Sequence, residues 1–459
     1  MLALQALTPQ TRARENVRAG LLGSTAADLD VEKQLLETQL RIVRATANFG
    51  PVLLLAPDET SKDAVANRCE EFHLCELLNS DRVRIKVARH DGVWIRDFGP
   101  QISAAGDSAS AIHWRYFDLR LEEAKREKQQ ELETARLNLL AARQQQDQPE
   151  TLAPPSSPSP SASHQSAISA IDAKLFVLKE YSQLLNDTSP QRTNDENAAF
   201  DIADAVLASP NFQFQNSPLA LDGGNLFKLD DGRCLTTRPL RVRNKDQNLD
   251  VVHELETYAG CKQVTFLDPL PGPVIEHVDM FLLPAGGNRL LLASYDLDSS
   301  FAEKYWSALS EEDRRLALEA SLAMAANADV LRRLGYEVIS VPSPFPQTPP
   351  NGHVYYPSVV NALVRVSAGG GRQILVPQFH DYETDIQSAA MQQIVAAFGP
   401  NSEVVPIEST DAAKSQGAIH CLTLSAPLSV SIFADSAAAA RRASAQARKQ
   451  QLDHAATAH

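Results

Sequence analysis

Apolar positions along this chain change period several times, and each change marks an element. Between Val31 and Ala47 they recur at helical spacing, and Pro51-Val52-Leu53-Leu54-Leu55 is then a continuous apolar run of buried-strand length. Val83–Val87 predicts a second strand, and Val264–Leu267, Leu290–Leu292 and Val338–Val341 predict three more. One long helix is expected over Ser310–Leu334, with Ser310 as its N-cap and Gly335 as its terminator. Residues Asn67 to Leu78 read as a further helix that buries the thiols of Cys69 and Cys75. Strands alternating with helices in this way imply an α/β fold class.

The pattern breaks at Leu119. From there to about Gln148 the chain is rich in Leu, Glu, Lys, Arg and Gln, with Leu132, Leu139 and Leu140 as sparse apolar anchors. That composition predicts a charged, solvent-exposed helix. Residues 149–168 are rich in Pro and Ser and predict a flexible linker, after which a second amphipathic helix over Ile168–Leu185 closes the excursion. The expected organisation is therefore an N-terminal extension (1–30), the first part of a globular domain (31–118), an insertion (119–190), the second part of that domain (191–433) and an Ala-rich basic tail (434–459).

Composition narrows the class of function. With 43 basic and 57 acidic residues the net charge is −14, which argues against nucleic acid and favours the approach of a cationic substrate. The N-terminus lacks the basic start and apolar run of a secretory signal, and no stretch of about 18 apolar residues predicts a membrane helix. Five cysteines, an odd number in a long chain, fit reduced thiols in a cytoplasm, with signal-less secretion as the other route left open. Cys69, His73 and Cys75 have no second Cys/His pair to complete a tetrahedral site, so no metal is expected. No Gly-rich phosphate loop implies a nucleotide.

Four short words carry the candidate chemistry: Trp94-Ile95-Arg96-Asp97, Asp222-Gly223-Gly224-Asn225, Glu276-His277-Val278-Asp279 and Ile419-His420-Cys421. Each alone has a plain structural explanation: a core Trp, a tight Asp-Gly turn, a polar turn and a buried cysteine. A thiolate attacks better than a hydroxyl near neutral pH when its surroundings lower its pKa. On extended backbone His277 and Asp279 would point to one side, so that both could face one pocket. By the same reasoning His420 would point away from Cys421, and no chemistry is expected of it.

In this order the words resemble the guanidine-modifying hydrolases, and within them the agmatine deiminase and bacterial peptidylarginine deiminase branch. The resemblance rests on Trp94-Ile95-Arg96-Asp97-Phe98-Gly99-Pro100, the Gly417–Cys421 word, Tyr356-Pro357-Ser358-Val359-Val360-Asn361 and Ile374–Phe379, and covers roughly 45–118 and 197–425. It implies the pentein fold, in which β/α units surround a pseudo-fivefold axis with the active site at the centre. It also implies that Asp97 and Asp279 hold a guanidinium, Cys421 attacks its carbon and His277 moves protons while Asp222 orients it. Trp94 would then be a pocket wall, Arg96 a loop support and Asn361 a substrate-side or loop-fixing amide. The implied reaction is deimination to a ureido product and ammonia, without metal or organic cofactor.

The implied partner is a small cationic guanidine, such as agmatine, or an arginine-containing peptide or protein. Two other readings stay open: an amidinotransferase with the same covalent intermediate, and a non-catalytic interaction protein working through the 119–190 insertion. Nothing in the sequence sets an oligomeric state.

Overall fold

The structure, a computed structural model, describes residues 2–5, 28–116 and 195–427, apart from 91, 106–107, 196–197, 208–211, 246–248, 273, 350–353, 368–369 and 381–383. The expected helices and linker within 119–190, and the tail at 434–459, lie outside the described residues.

The chain opens with strand β1 (Leu2–Gln5), helix α1 (Asp28–Ala47), β2 (Val52–Ala56), α2 (Glu59–Asn67), α3 (Cys75–Asn79), β3 (Val83–Val87) and the one-turn helix α4 (Ile95–Phe98). There follow β4 (Gln101–Ala105), β5 (Ser108–Arg115), a helix over residues 198–206, and β6 (Gln213–Ala220). Next come β7 (Phe227–Lys228), β8 (Arg233–Thr237), α5 (Pro239–Arg243), α6 (Val251–Ala259) and β9 (Gln263–Leu267). Then β10 (Leu282–Gly286), β11 (Arg289–Ser294), α7 (Ser300–Tyr305), α8 (Glu311–Arg333) and β12 (Glu337–Pro342) are laid down. The last group is β13 (Leu363–Val366), β14 (Arg372–Gln378), α9 (Thr384–Phe398), β15 (Ser402–Glu408), α10 (Thr410–Lys414) and β16 (Leu424–Ser425).

These strands form five small sheets, and four repeat one connectivity. An antiparallel hairpin is followed by a parallel crossover in β4-β5-β6, β7-β8-β9, β10-β11-β12 and β13-β14-β15. The fifth sheet, β16-β1-β2-β3, joins the two ends of the described chain, with β16 antiparallel to β1 and β2 parallel to it. The segment expected as an N-terminal extension thus contributes a strand at Leu2–Gln5, inside this sheet.

Local sequence explains the elements that position the site. All five residues of β2 are buried, as a continuous apolar run requires in a parallel strand covered on both faces. Helix α8 starts where Ser310 Oγ accepts from the Asp313 N–H at 3.0 Å, and the chain leaves it at Gly335, whose φ of +92° suits glycine. Its buried face, with Ala317, Ala320 and Leu331, packs in one apolar cluster with Leu290–Leu292 of β11 and Ile386 and Ile394 of α9. Cys421 sits in the same cluster, so the candidate nucleophile is set into packed side chains.

Two expectations fail here. Asn67–Leu78 is not one helix, because the chain leaves α2, turns through His73 at φ +54° and restarts as α3. Nor are the cysteines all reduced: Cys69 pairs with Cys75 and Cys234 with Cys261, which leaves Cys421 as the free thiol. The turn at His73 brings the first pair together, and the α6–β9 return brings Cys261 beside Cys234 on β8. Odd cysteine count says nothing about either juxtaposition.

Each sheet hands the chain to the next through a junction, and every one of these junctions carries a singled-out residue. Asp97 lies between β3 and β4, Asp222 between β6 and β7, His277 and Asp279 between β9 and β10, Asn361 between β12 and β13, and Cys421 between β15 and β16. Residues far apart in sequence can therefore meet at one centre.

Candidate active site

The Cys421 segment is a turn and not extended backbone. After α10 the chain passes Gln416 at φ +67°, and Leu422 N–H returns to Ala418 O at 3.3 Å while Thr423 N–H returns to His420 O at 3.1 Å. Gly417 is required here: a Cβ would stand 2.4 Å from the Trp94 ring. Trp94 therefore backs the nucleophile's loop. Two further bonds fix that loop, from Arg96 N–H to Cys421 O at 3.2 Å and from His420 N–H to Asn361 O at 3.1 Å.

Because the segment turns, His420 points inward, against expectation. Its Nδ1 lies 2.7 Å from Asp279 Oδ2, and the same oxygen is 3.5 Å from Cys421 Sγ. Asn361 completes this side: its Nδ2 donates to Asp279 O at 3.1 Å and toward Cys421 Sγ at 3.2 Å, and its Oδ1 receives Cys421 N–H at 3.4 Å. It is a loop-fixing amide that also offers the sulfur a donor.

His277 and Asp279 do share the site, but a strand does not arrange them. His277 is extended (φ −86°, ψ 146°) and caps a one-turn 3-10 helix over Val278–Met280. His277 Nε2 contacts Asp222 Oδ2 at 2.9 Å, and Nδ1 faces Asp97 Oδ1 at 3.5 Å. Asp222 is gripped from behind by Arg243, with Nη1 to Oδ2 at 2.6 Å and Nη2 to Oδ1 at 3.0 Å.

Gly224 marks where the two sides meet. A Cβ there would lie 2.9 Å from Asp279 Oδ2, 2.9 Å from Asp97 Oδ1 and 3.0 Å from His277 Nδ1. Its neighbour Gly223 lies against Arg96 O, at 2.1 Å from a would-be Cβ. The two glycines of the Asp222 word thus admit close approach, beyond making a turn. Asp97 Oδ1, Asp279 Oδ1 and His277 Nδ1 are buried with no hydrogen-bond partner among the described residues. The two open carboxylate oxygens can accept hydrogen bonds from a ligand that supplies donors, and a protonated His277 Nδ1 can donate one.

The charges are unequal. Burial, and then the nearby Asp222 and Asp279, push the Asp97 carboxyl up to about 7, although His277 and a Gly224 backbone bond pull it down. Burial would likewise raise Asp222, but Arg243 and His277 outweigh it and hold it down at about 2. Burial disfavours the His277 imidazolium, yet the carboxylates of Asp97 and Asp222 raise it to about 9. His420 goes the other way, lowered by burial and by the Arg96 cation. Burial together with Asp279 and Asp97 pushes the Cys421 thiol well above its ordinary value, against weaker opposing bonds from Ala418 and Asn361. Burial also lowers the Arg96 guanidinium, which Asp279, Cys421 and Asp97 favour in its charged form.

A protein-family model for the Porphyromonas-type peptidyl-arginine deiminases matches residues 180–427, more than half of the chain. The chain belongs to that family. Within this peptidyl-arginine deiminase family match fall Asp222, His277, Asp279, Asn361 and Cys421, while Trp94 and Asp97 precede it. Among solved structures, the C. jejuni agmatine deiminase superposes with a TM-score of 0.55 at 14% identity, covering 92% of this chain and 91% of its own. The Enterococcus faecalis agmatine deiminase gives a TM-score of 0.51 at 15% identity, covering 86% and 88%. The family match places the chain among the Porphyromonas-type peptidyl-arginine deiminases, and the solved structures show that it shares a mixed α/β pentein fold with the agmatine deiminases. No curated protein matches the chain in sequence.

All seven singled-out residues belong to this centre or its immediate support. Sequence reasoning missed His420, Arg243 and the depth of Arg96's involvement. His420 was available in the Ile-His-Cys word once a turn replaced the assumed strand. Arg243 had no signal, since it belongs to none of the short words that carry the candidate chemistry.

Proposed function

We propose that this protein hydrolyses a guanidinium substrate, an arginine side chain or agmatine, to a ureido product and ammonia through a covalent intermediate on Cys421. The observation that carries the reading is the pair of buried carboxylate oxygens without a hydrogen-bond partner among the described residues, Asp97 Oδ1 and Asp279 Oδ1, beside the His277 imidazole and a buried thiol. A planar guanidinium offers N–H donors on separate edges, and two carboxylates can hold it while its carbon faces sulfur.

In this mechanism burial, and then the charges of Asp279 and Asp97, hold the thiol protonated, and the bound substrate cation offsets both by favouring the thiolate. Cys421 gives up its proton to solvent, and Sγ bonds to the guanidinium carbon as the C=N electron pair moves onto nitrogen, forming a neutral tetrahedral adduct. His277, already charged, transfers its Nδ1 proton to one nitrogen of the adduct; the C–N bond breaks and ammonia leaves, giving a thiouronium. Neutral His277 then takes a proton from water as its oxygen adds to the same carbon. The C–S bond breaks, the thiol is restored and the ureido product departs. Asp222 keeps Nε2 protonated throughout, so that Nδ1 faces the reaction. The five junctions that meet here are arranged, on this reading, around the pseudo-fivefold axis of a pentein.

The family's name favours arginine in a peptide, the fold relatives' names favour agmatine, and the net charge of −14 draws either cation. The test is to incubate the protein with agmatine, free arginine and arginyl peptides without an added amine, and to measure ureido product and ammonia. Both should appear in equal amounts for at least one substrate. Cys421→Ala should abolish turnover, and turnover that persisted in it would sink the mechanism. A requirement for an acceptor amine would convert the reading to amidino transfer.

A further inference from the structure

The catalytic histidine is not supported by its aspartate alone. Behind Asp222 stands a two-residue clasp at the end of α5. Asn244 is fully buried: its Oδ1 receives Ala220 N–H at 2.8 Å, and its Nδ2 donates to Ala220 O and Leu240 O, both at 2.9 Å. It ties the end of α5 to the last residue of β6, two positions before Asp222. Arg243, next to it, turns inward with 9% of its side chain exposed and closes on both oxygens of Asp222, itself 12% exposed. Its helix neighbours behave differently: Arg238 pairs with Asp268, and Arg241 lies over the Phe266 ring. Three arginines of one basic stretch thus divide into two that sit on other partners and one built into the site.

Resting on the deiminase reading above, we propose that Arg243 is a positioning residue for the reaction, holding Asp222 as an oriented anion so that His277 keeps its proton on Nε2 and presents Nδ1 to the substrate. A carboxylate buried beside one histidine can relieve its desolvation by taking up a proton, and it would then cease to accept from Nε2. A bidentate guanidinium removes that escape and fixes the carboxylate plane as well. Asp222 Oδ2 is shared between Arg243 Nη1 and His277 Nε2, so the orientation passes directly along the chain Arg243–Asp222–His277. The other charged groups facing the imidazole are Asp97, whose Oδ1 lies 3.5 Å from Nδ1, and Asp279, from the same junction as His277; on the deiminase reading both take up the substrate cation, which leaves Asp222 as the carboxylate at Nε2. His420 also feels the imidazole's charge, and the Arg96 guanidinium lies near Asp279 and Asp97.

Charge and geometry can be separated by two variants. Arg243→Gln removes both, and Arg243→Lys restores the cation without the fork. In Arg243→Gln, kcat should fall about tenfold to a hundredfold, a part of what a positioned acid–base group supplies, while KM stays within about threefold. Removing an adjacent cation raises carboxyl pKa values, so the acidic limb of the kcat profile should move to higher pH. Arg243→Lys should return that limb toward the parent position but recover kcat only in part. Arg241→Gln, on the same short helix, should match the parent in both respects.

A readout without substrate keeps the test independent of the deiminase reading. Nitrogen NMR of the His277 ring, assigned by its loss in His277→Gln, should show the Nε2–H tautomer in the parent above the imidazole midpoint and a mixed tautomer in Arg243→Gln. An Arg243→Gln protein with the parent's acidic limb and the parent's tautomer would overturn the proposal. Failure of the parent to release ammonia from any guanidine would instead strike the proposed function, and leave the tautomer result to judge Arg243.

Discussion

Two histidine–aspartate pairs meet at this centre, and they have opposite electrical characters. His277 lies between Asp222 and Asp97, with Arg243 holding Asp222 as an anion, and it is raised to about 9. His420 gives Nδ1 to Asp279 beside the Arg96 cation, and burial and that cation lower it. The first therefore carries a proton near neutral pH and the second is a neutral hydrogen-bond donor. One residue type facing one carboxylate type thus yields two roles, and the surrounding charges decide which. Asp279 is steadied by His420 through Oδ2 and keeps Oδ1 open, while Asp222 has no oxygen to spare. On the proposed mechanism the first pair moves protons, and the second holds still the Asp279 carboxylate that would bind the guanidinium.

The comparison breaks most sharply at His277. His277→Gln keeps a polar side chain but cannot pass a proton to departing ammonia, so kcat should fall by about 10^2–10^4-fold. Single-turnover assays with agmatine or an arginyl peptide would read the loss. Turnover within a few-fold of the parent would mean that the proton comes from elsewhere.

The effect at His420 should be smaller and of a different kind. His420→Ala removes a charge-assisted hydrogen bond from Asp279, and KM should rise about tenfold or more with a lesser change in kcat. His420→Asn, whose amide can place an N–H near the position of Nδ1, should recover much of the affinity. A kcat loss as large as that of His277→Gln, with KM unchanged, would make His420 a second proton carrier and erase the distinction between the pairs.

Sequence legibility follows the same division. The α/β alternation, the buried strand at Val52–Ala56 and the capped helix after Ser310 could be read because local period and end residues determine them. Asp97, Asp222, His277, Asp279, Asn361 and Cys421 could be read because each belongs to a short word at a junction. Arg243 could not, because its inward turn depends on Asn244 bonding to Ala220, a contact across 24 residues that no local pattern announces. The inward direction of His420 is hidden because extended backbone is the simplest reading of a segment that in fact turns at Gln416. The cysteine pairs and the strand at Leu2–Gln5 are likewise set by tertiary return of the chain, where periodicity carries no information.

The gentlest test of the comparison is stability against pH, where the two histidines should give opposite slopes. His277 is raised above its unfolded value of 6.5, so its stabilisation is full below 6.5 and is lost as pH climbs toward 9. His420 is lowered, so it must shed a proton to fold in acid, and stability is lost as pH falls below its unfolded value. Each tenfold difference in proton affinity between the folded and unfolded chain is worth on the order of 1.4 kcal/mol. Melting temperature followed from about pH 5 to 9.5 should therefore decline at both ends. Of these two variants, only His277→Gln should make the alkaline decline shallower and only His420→Asn the acid decline, part of which remains because burial also lowers His90 to about 4. If one variant flattened both limbs, the two pairs would be titrating as a single unit, and the separation of proton carrier from substrate holder would have to be abandoned.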